Sequence, residues 1–452
     1  MKIWHNPDLV SHARHLPELR SGKLTPRDLL ERCIAHIEAR EKTVKAFVTM
    51  NLDAARKAAD ASGKRWKAGR PLSPLDGCPV GIKDIIATAD FPTQMNSPAF
   101  KGWQSGQDAA CVHALRKAGA VIPGKMVTTE FAIGYSGPTT NPFDPKRTPG
   151  GSSSGSAAAV GAGMLPVALG TQTQASTLRP ASFNGAVGFK PSLGAMHMAG
   201  IHPLSSTCDH LGFIGATLED VWHTASQISL QVGAPGYGFL NGAADVPPAP
   251  EQPRTLVRLY TKGWSEIDAA TETAFEATVE HLQKRGVKIV SKHTDPAVAA
   301  LETALDADVE GALDIVAYEL KWPYSDYVAR FGKQIGERIH GLLERADKMS
   351  PADYLALLET RRRVQAHTRA VLAQNGANAY LTLASSGPAI LGHEYTGSRT
   401  FLVYGSWLGF PAFSLPLLDI GGLPCGVQLL GADHTDGGLC GTARWVMQTC
   451  AD

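Results

Sequence analysis

Charged residues make up only 19% of this 452-residue chain, and they nearly cancel, leaving a formal net charge of +1. A chain so balanced, with no basic run and no acidic tail, carries no electrostatic signature for nucleic acid or an anionic membrane surface. Also missing is any apolar run of the roughly 18 residues that a membrane span requires. The opening MKIWHNPDLVSHARHLPELR lacks the apolar segment of a secretory leader. Together these absences predict a cytoplasmic protein. The seven cysteines (Cys33, Cys78, Cys111, Cys208, Cys425, Cys440, Cys450) are odd in number, scattered and without a CxxC pair. That pattern argues against a zinc site or disulfide framework and fits reduced thiols. His197, His202, Asp209 and His210 match neither HExxH nor a cysteine-based site, so these histidines are expected on loops or the surface, and neither metal nor cofactor is expected. By exclusion, the expected partner is a small neutral molecule.

What the chain does have is apolar substance, 44% of its residues, enough for one large domain or two fused halves. Residues 17–60 show apolar positions at helical spacing (Leu29, Leu30, Cys33, Ile34, Ile37), with Thr25 and Pro26 placed as N-cap and first helical residue; this stretch reads as a helical opening. A short apolar strand follows at Pro79–Ile82. CVHALRKAGAVIPGKM then reads as helix, glycine stop, strand. Alternation continues through MLPVALGTQ, GAVGFKPS and the helix Ala269–Arg285 before GVKIV. Residues 296–375 are mostly helical in pattern, and FPAFSLPLLDIGGLPCGVQLLG reads as two strands about a glycine turn. The fold class expected is α/β, a central sheet with helices on both faces and a late helical insertion.

The stretch PGGSSSGSAAAV, Pro149 to Val160, sets three serines between glycines. One reading is a glycine-rich turn leading into a serine-capped helix. A second takes Gly151-Ser152-Ser153-Ser154-Gly155 as a nucleophile elbow, but that motif follows a strand directly, and NPFDPKRTP is a polar, proline-broken lead-in. A third reading draws in VALGTQTQASTLRPASFNGAVGFKPS, which holds another serine, Ser176, in a polar loop after an apolar strand, and the lysine of GCPVGIKD.

Together these segments resemble the amidase signature family, serine hydrolases that cleave amides and related acyl bonds with a Ser-Ser-Lys triad. The resemblance runs through most of the chain, from ELRSGKLTPRDLLERC through CDHLGFIGATLEDV to the closing GFPAFSLPLLDIGGLPCGVQLLG. It implies one domain over residues 1–452, with a helical part at 1–70, a signature core at 75–220 and the insertion at 296–375 shaping the substrate pocket. It also implies Lys83 as the triad lysine, Ser152 as its cis-serine and Ser176 as nucleophile, since the family places the nucleophile 24 residues after the first serine of its GGSS run. The Gly151-Ser152 peptide bond is implied to be cis. Ser153, Ser154, Thr171 and Arg179 match supporting positions. The backbone N–H groups of Thr173, Gln174, Ala175 and Ser176 are implied to form an oxyanion hole.

The chemistry of the trio follows from its residue types. A free lysine titrates near 10.4, so only about 0.04% is neutral at pH 7. Burial disfavours the ammonium form, and PVGI before Lys83 with Ile85 and Ile86 after it suits burial. A neutral Lys83 takes a proton from Ser152, which takes that of Ser176 as it attacks a carbonyl. The same relay reversed protonates the leaving amine.

The chain departs from the family pattern at Gln174 and Ala175, where most members have glycine or alanine-glycine, and at Gln172, where aspartate is common. If the loop needs a positive φ, Gln or Ala is disfavoured there. Arg179 before Pro180 fits a bacterial subgroup with the GTQT form. Tyr135, Tyr395, Phe401, Tyr404 and Trp407 are candidates for an apolar acyl pocket, while the helical spacing of Tyr404 and Trp407 equally fits core packing. The function expected is hydrolysis of an amide carbon-nitrogen bond, with ester, anilide and carbamate or urethane bonds chemically close, by a monomer or homodimer. Two alternatives stand beside it: a glutamine-cleaving component of a tRNA-dependent amidotransferase, and an inactive ligand-binding relative.

Overall fold

The computed structural model describes residues 2–233 and 246–451. Its strands are β1 (Phe47–Met50), β2 (Val80–Lys83), β3 (Gly124–Met126), β4 (Val167–Gln172), β5 (Val187–Lys190), β6 (His210–Gly215), β7 (Thr255–Arg258), β8 (Lys288–Val290), β9 (Ala379–Leu383), β10 (Ala412–Ile420) and β11 (Leu423–Leu430). Among the described residues they form one 11-stranded sheet, in the order β1-β3-β2-β4-β6-β5-β10-β11-β9-β7-β8. Pairing is mixed: β2 runs parallel to β3 and β4, and β7 parallel to β8 and β9, while β4, β6, β5, β10, β11 and β9 pair antiparallel in succession.

Every residue of β2, β4, β5 and β6 is buried. Side chains alternate between the faces of a sheet, so both faces must be covered. Ala168 and Ile214 pack with Ala157 and Val160 of the helix Ser154–Gly161 on one face. Their neighbours Leu169 and Phe213 join the main core with Val221, Trp222 and Ala225 of the helix Leu218–Val232 on the other. Complete burial of a strand on both sides erases the polar-apolar alternation, which is why MLPVALGTQ reads as a plain apolar run.

The opening is less uniformly helical than its pattern suggests. Helices at His12–Ser21, Pro26–Val44 and Leu52–Lys67 are interrupted by β1 before the third. Thr25 does cap the second of these, in a reciprocal capping box with Asp28 and with Pro26 just inside. Lys45, at φ 54°, ends it. The β-branched and aromatic run FVTM then pairs antiparallel with β3 at the sheet edge, a long-range contact that local periodicity does not encode. The 296–375 stretch forms five α-helices, Pro296–Ala307, Val309–Glu319, Lys321–Phe331, Glu337–Asp347 and Pro351–Asn375. Glu319 ties this block to the signature core, accepting from Ser205 Oγ at 2.5 Å and Thr207 N at 3.0 Å while Tyr354 Oη donates to it at 2.5 Å.

Because β2 and β4 are adjacent and parallel, with Ile82 opposite Leu169, their C-terminal ends emerge together. Lys83 ends β2 and Thr171-Gln172 ends β4. The helix Ser154–Gly161 lies against β4 and brings the serine run to the same edge.

Candidate active site

Lys83 is wholly buried and its Nζ is hydrogen-bonded to Ser152 Oγ at 2.7 Å and Thr171 Oγ1 at 2.8 Å. Among the described residues it makes no ion pair. Burial holds this amine well below its ordinary range, opposed only by the attraction of Asp209. Asp209 is itself buried and accepts from Thr173 Oγ1 at 2.6 Å and from the N–H groups of Leu204 and Ser205 at 2.7 and 2.9 Å. Burial raises its carboxyl to about 6 in spite of those bonds.

Ser152 follows a cis Gly151-Ser152 peptide bond and lies just before the helix Ser154–Gly161. A Cβ on Gly155 would sit 2.2 Å from the Ala46 carbonyl and 2.5 Å from the Val127 N, so only glycine lets this helix start press against the β1–β3 edge. Ser153 is its N-cap residue but makes no side-chain capping bond. Its N–H donates to the Ser176 carbonyl at 3.2 Å and its Oγ lies 3.4 Å from the Thr171 carbonyl. Ser154 Oγ reaches the Val127 carbonyl at 3.3 Å. Of the hydroxyls expected around the lysine, Thr171 touches it, whereas Ser153 and Ser154 bond to backbone. Arg179 is buried against four acceptors, the carbonyls of Gly151 (2.5 Å), Gly397 (2.7 Å) and Ser398 (3.2 Å) and Thr396 Oγ1 (2.9 Å). Among the described residues no carboxylate pairs with it, and burial lowers its guanidinium to about 10.

Ser152 and Ser176 line a common cavity of about 420 Å³ with the loop 173–176. Among the described residues, the N–H groups of Thr173, Gln174, Ala175 and Ser176 form no hydrogen bond, in a fold where most buried donors are paired. None of the four has a positive φ. The concern that glycine's freedom is needed at Gln174 and Ala175 is thereby removed, since both sit in backbone open to any L-residue.

The insertion supplies Val309, Glu310, Leu313 and Arg338 to the cavity wall. Tyr395 lies on it too, and Tyr135 lines a separate surface depression with Asp84 and Ser97. Phe401, Tyr404 and Trp407 do not reach the cavity. They are buried to 3%, 2% and 2% exposure, Phe401 packing edge-on to Trp264 and Tyr404 Oη donating to Asp306 at 2.7 Å. The core-packing alternative holds for these three. His210, expected on a loop or the surface, is buried at the start of β6 with its Nδ1 hydrogen-bonded to the Cys208 carbonyl at 2.7 Å. Among the described residues no three His, Cys, Asp or Glu side chains cluster as a metal site would require, and all seven cysteines are free and buried.

A family model described as Amidase matches residues 28–440. The chain belongs to the amidase family. Over its whole length this amidase-family chain is 32% identical to a glutamyl-tRNA(Gln) amidotransferase subunit of Rhodopirellula baltica, across 470 aligned residues covering 93% of this chain and 92% of that protein. It is 43% identical to the equivalently named protein of Chloroflexus aurantiacus over 209 residues, which is 45% of this chain and 43% of that protein. The match therefore spans less than half of that relative. Among solved structures, the peptide amidase of Stenotrophomonas maltophilia superposes with a TM-score of 0.80 at 26% identity, over 97% of this chain and 96% of that one.

Several residues that build the site carry no signal in their local sequence. Ser406, Arg399 and Glu310 lie far along the chain from the loop they brace, and nothing in their surroundings marks them. Gln172 is visible only as a departure from the family pattern. Its Oε1 accepts from the N–H groups of Thr177 and Leu178 at 3.0 Å each, and its Nε2 donates to Ser406 Oγ at 3.0 Å. Gln174 is held through its Oε1 by Arg399 at 2.7 Å, and Arg399 pairs with Glu310 at 3.0 Å.

Proposed function

We propose that this amidase-family chain hydrolyses a carbon-nitrogen amide bond through an acyl-Ser176 intermediate, with Ser152 and Lys83 as proton relay. The observation that carries this reading is a fully buried lysine without a carboxylate partner, in hydrogen-bond contact with Ser152 beneath a cavity that Ser176 lines. The Ser152 hydroxyl passes its proton to the neutral amine while taking that of Ser176, and Ser176 Oγ bonds to the substrate carbonyl carbon. Negative charge gathers on the carbonyl oxygen, where the free N–H groups of residues 173–176 receive it. As the adduct collapses the carbon-nitrogen bond breaks, and the relay delivers a proton to the leaving nitrogen. Water then attacks the acyl ester by the same relay, releasing the acid and restoring Ser176.

The cavity combines apolar residues near the serines (Ala132, Ile133, Val309, Leu313) with a charged mouth bearing Arg338, Lys262 and Glu394, none of which forms an ion pair among the described residues. This favours a compact amide with a polar far end over a long alkyl chain. Esters, anilides and carbamates present the same carbonyl and belong to the same proposal.

Full-length similarity to the Rhodopirellula baltica protein favours a second reading, a glutamine-cleaving component that works with partner chains. A panel of glutamine, peptide amides, anilides and urethanes on the purified lone chain separates the two. The stand-alone reading expects turnover without added partners; the partnered reading expects it only with them. Labelling by a fluorophosphonate probe tests the nucleophile: Ser176→Ala should abolish it, and Ser153→Ala should leave it. Labelling that survives Ser176→Ala would refute the assignment.

A further inference from the structure

The geometry points to Gln172 and Ser406 as a positioning pair that turns the Ala175 N–H toward the substrate carbonyl, an inference resting on Ser176 as the nucleophile.

Gln172 is fully buried, and the protons around it can be counted. Its Oε1 accepts from two backbone N–H groups, Thr177 and Leu178, so the amide can face Ser406 only with its Nε2. Ser406 is also fully buried and a hydroxyl has one proton. Because Ser406 Oγ accepts from Gln172, that proton is free to be donated, and it goes to the Gln174 carbonyl at 3.1 Å. The Gln174-Ala175 peptide bond is trans. Across a trans peptide unit the C=O of one residue and the N–H of the next point in opposite directions. Pinning the Gln174 oxygen toward Ser406 therefore directs the Ala175 N–H away from it, and that N–H has no partner within the protein among the described residues.

An aspartate or glutamate in place of Gln172 would break this order. A carboxylate is an acceptor only, so the Ser406 proton would turn to it and release the Gln174 carbonyl. The neutral amide is thus matched to the hydroxyl across the sheet edge. Arg399 braces the same loop from the other side through the Gln174 side chain.

Two variants remove the Ser406-to-Gln174 bond by different routes. Ser406→Ala deletes the donor, and Gln172→Glu removes no heavy atom but reverses the hydroxyl. Both are assayed at their plateau pH on an amide and on the matching thioamide, whose sulfur is a poor hydrogen-bond acceptor. The expected result is a loss in kcat on the amide of about 10- to 100-fold, with KM within about two-fold of wild type. The amide-to-thioamide rate ratio should fall with it, and the double variant should be no worse than the weaker single one. Equal losses on both substrates, a loss confined to KM, or wild-type kcat in either variant would overturn the pair's role. Wild-type protein that fails to label at Ser176 with a fluorophosphonate overturns the nucleophile reading and this one together, whereas failure of the pair alone leaves labelling intact. If Ser406→Ala does not fold, Gln172→Glu carries the test.

Discussion

Replacing Lys83 by Met probes the buried amine directly, through the pH dependence of stability. In the unfolded chain a lysine stays protonated to near pH 10, whereas in the fold burial holds Lys83 well below that range. Between the folded and unfolded values the unfolded state binds one proton more. Stability then rises with pH by about 1.4 kcal/mol per unit. This contribution is fully present above the unfolded value and is lost as pH falls toward the folded one. Methionine does not titrate, so the difference in unfolding free energy, wild type minus Lys83→Met, should climb by about 1.4 kcal/mol per pH unit above the folded value.

Two complications cancel in that difference. Met leaves Ser152 Oγ and Thr171 Oγ1 without the amine, an offset of about 1–3 kcal/mol that does not vary with pH. Lys190, also buried and lowered to about 7, titrates alike in both proteins. Urea unfolding at half-unit steps from about pH 7 to 9.5 measures the slope. A flat difference across that range would mean that the folded lysine keeps its proton as the free one does, and no neutral base would exist. Activity should report the same group: kcat/KM of the wild type falls as pH drops through the folded value, and Lys83→Met loses about 10²- to 10⁴-fold.

Three further outcomes are expected. Arg179→Met strips donors from the carbonyls of Gly151, Gly397 and Ser398 and should cost about 3–5 kcal/mol in denaturant unfolding; a loss below about 1 kcal/mol would show those carbonyls to be otherwise satisfied. Glu130 is buried under Gly134 and Gly336, accepts from the Gly336 N–H at 3.0 Å and is raised to about 7. Its folded state therefore keeps a proton that the unfolded state loses, so wild-type stability should fall relative to Glu130→Gln as pH rises from about 4.5 to 7, and parallel profiles would contradict the shift. Gly155→Ala drives a methyl group into the Ala46 and Val127 backbones and should lower stability by about 3 kcal/mol, seen as a depressed Tm; an unchanged Tm would show that the helix start can move aside.

Local sequence went furthest where local physics suffices. The capping box at Thr25, the glycine turn between β10 and β11, and the helices of 296–375 depend on nearby residues, and each is visible in the pattern. β1 was hidden because four residues beside a strong helical signal become a strand only when β3 lies next to them. The aromatics at 401, 404 and 407 illustrate the opposite limit: their spacing marks one face of a short helix but not whether that face meets a cavity or the core. Their burial at 2–3% exposure is decided by packing partners such as Trp264 and Asp306, which lie far away in sequence.

For this amidase-family chain, the residues themselves determined the alternation of strand and helix, the serine run, and a lysine set among apolar neighbours, because composition and short-range spacing dictate those. Only the tertiary structure decided that Lys83 has no carboxylate partner, that Thr171 and not Ser154 shares its amine, and that Ser406 holds the loop before Ser176. A proton affinity depends on how much water and charge surround a group in three dimensions. That surrounding is assembled from β2, β4 and segments near residues 152, 209 and 406, which meet only when the sheet closes over them.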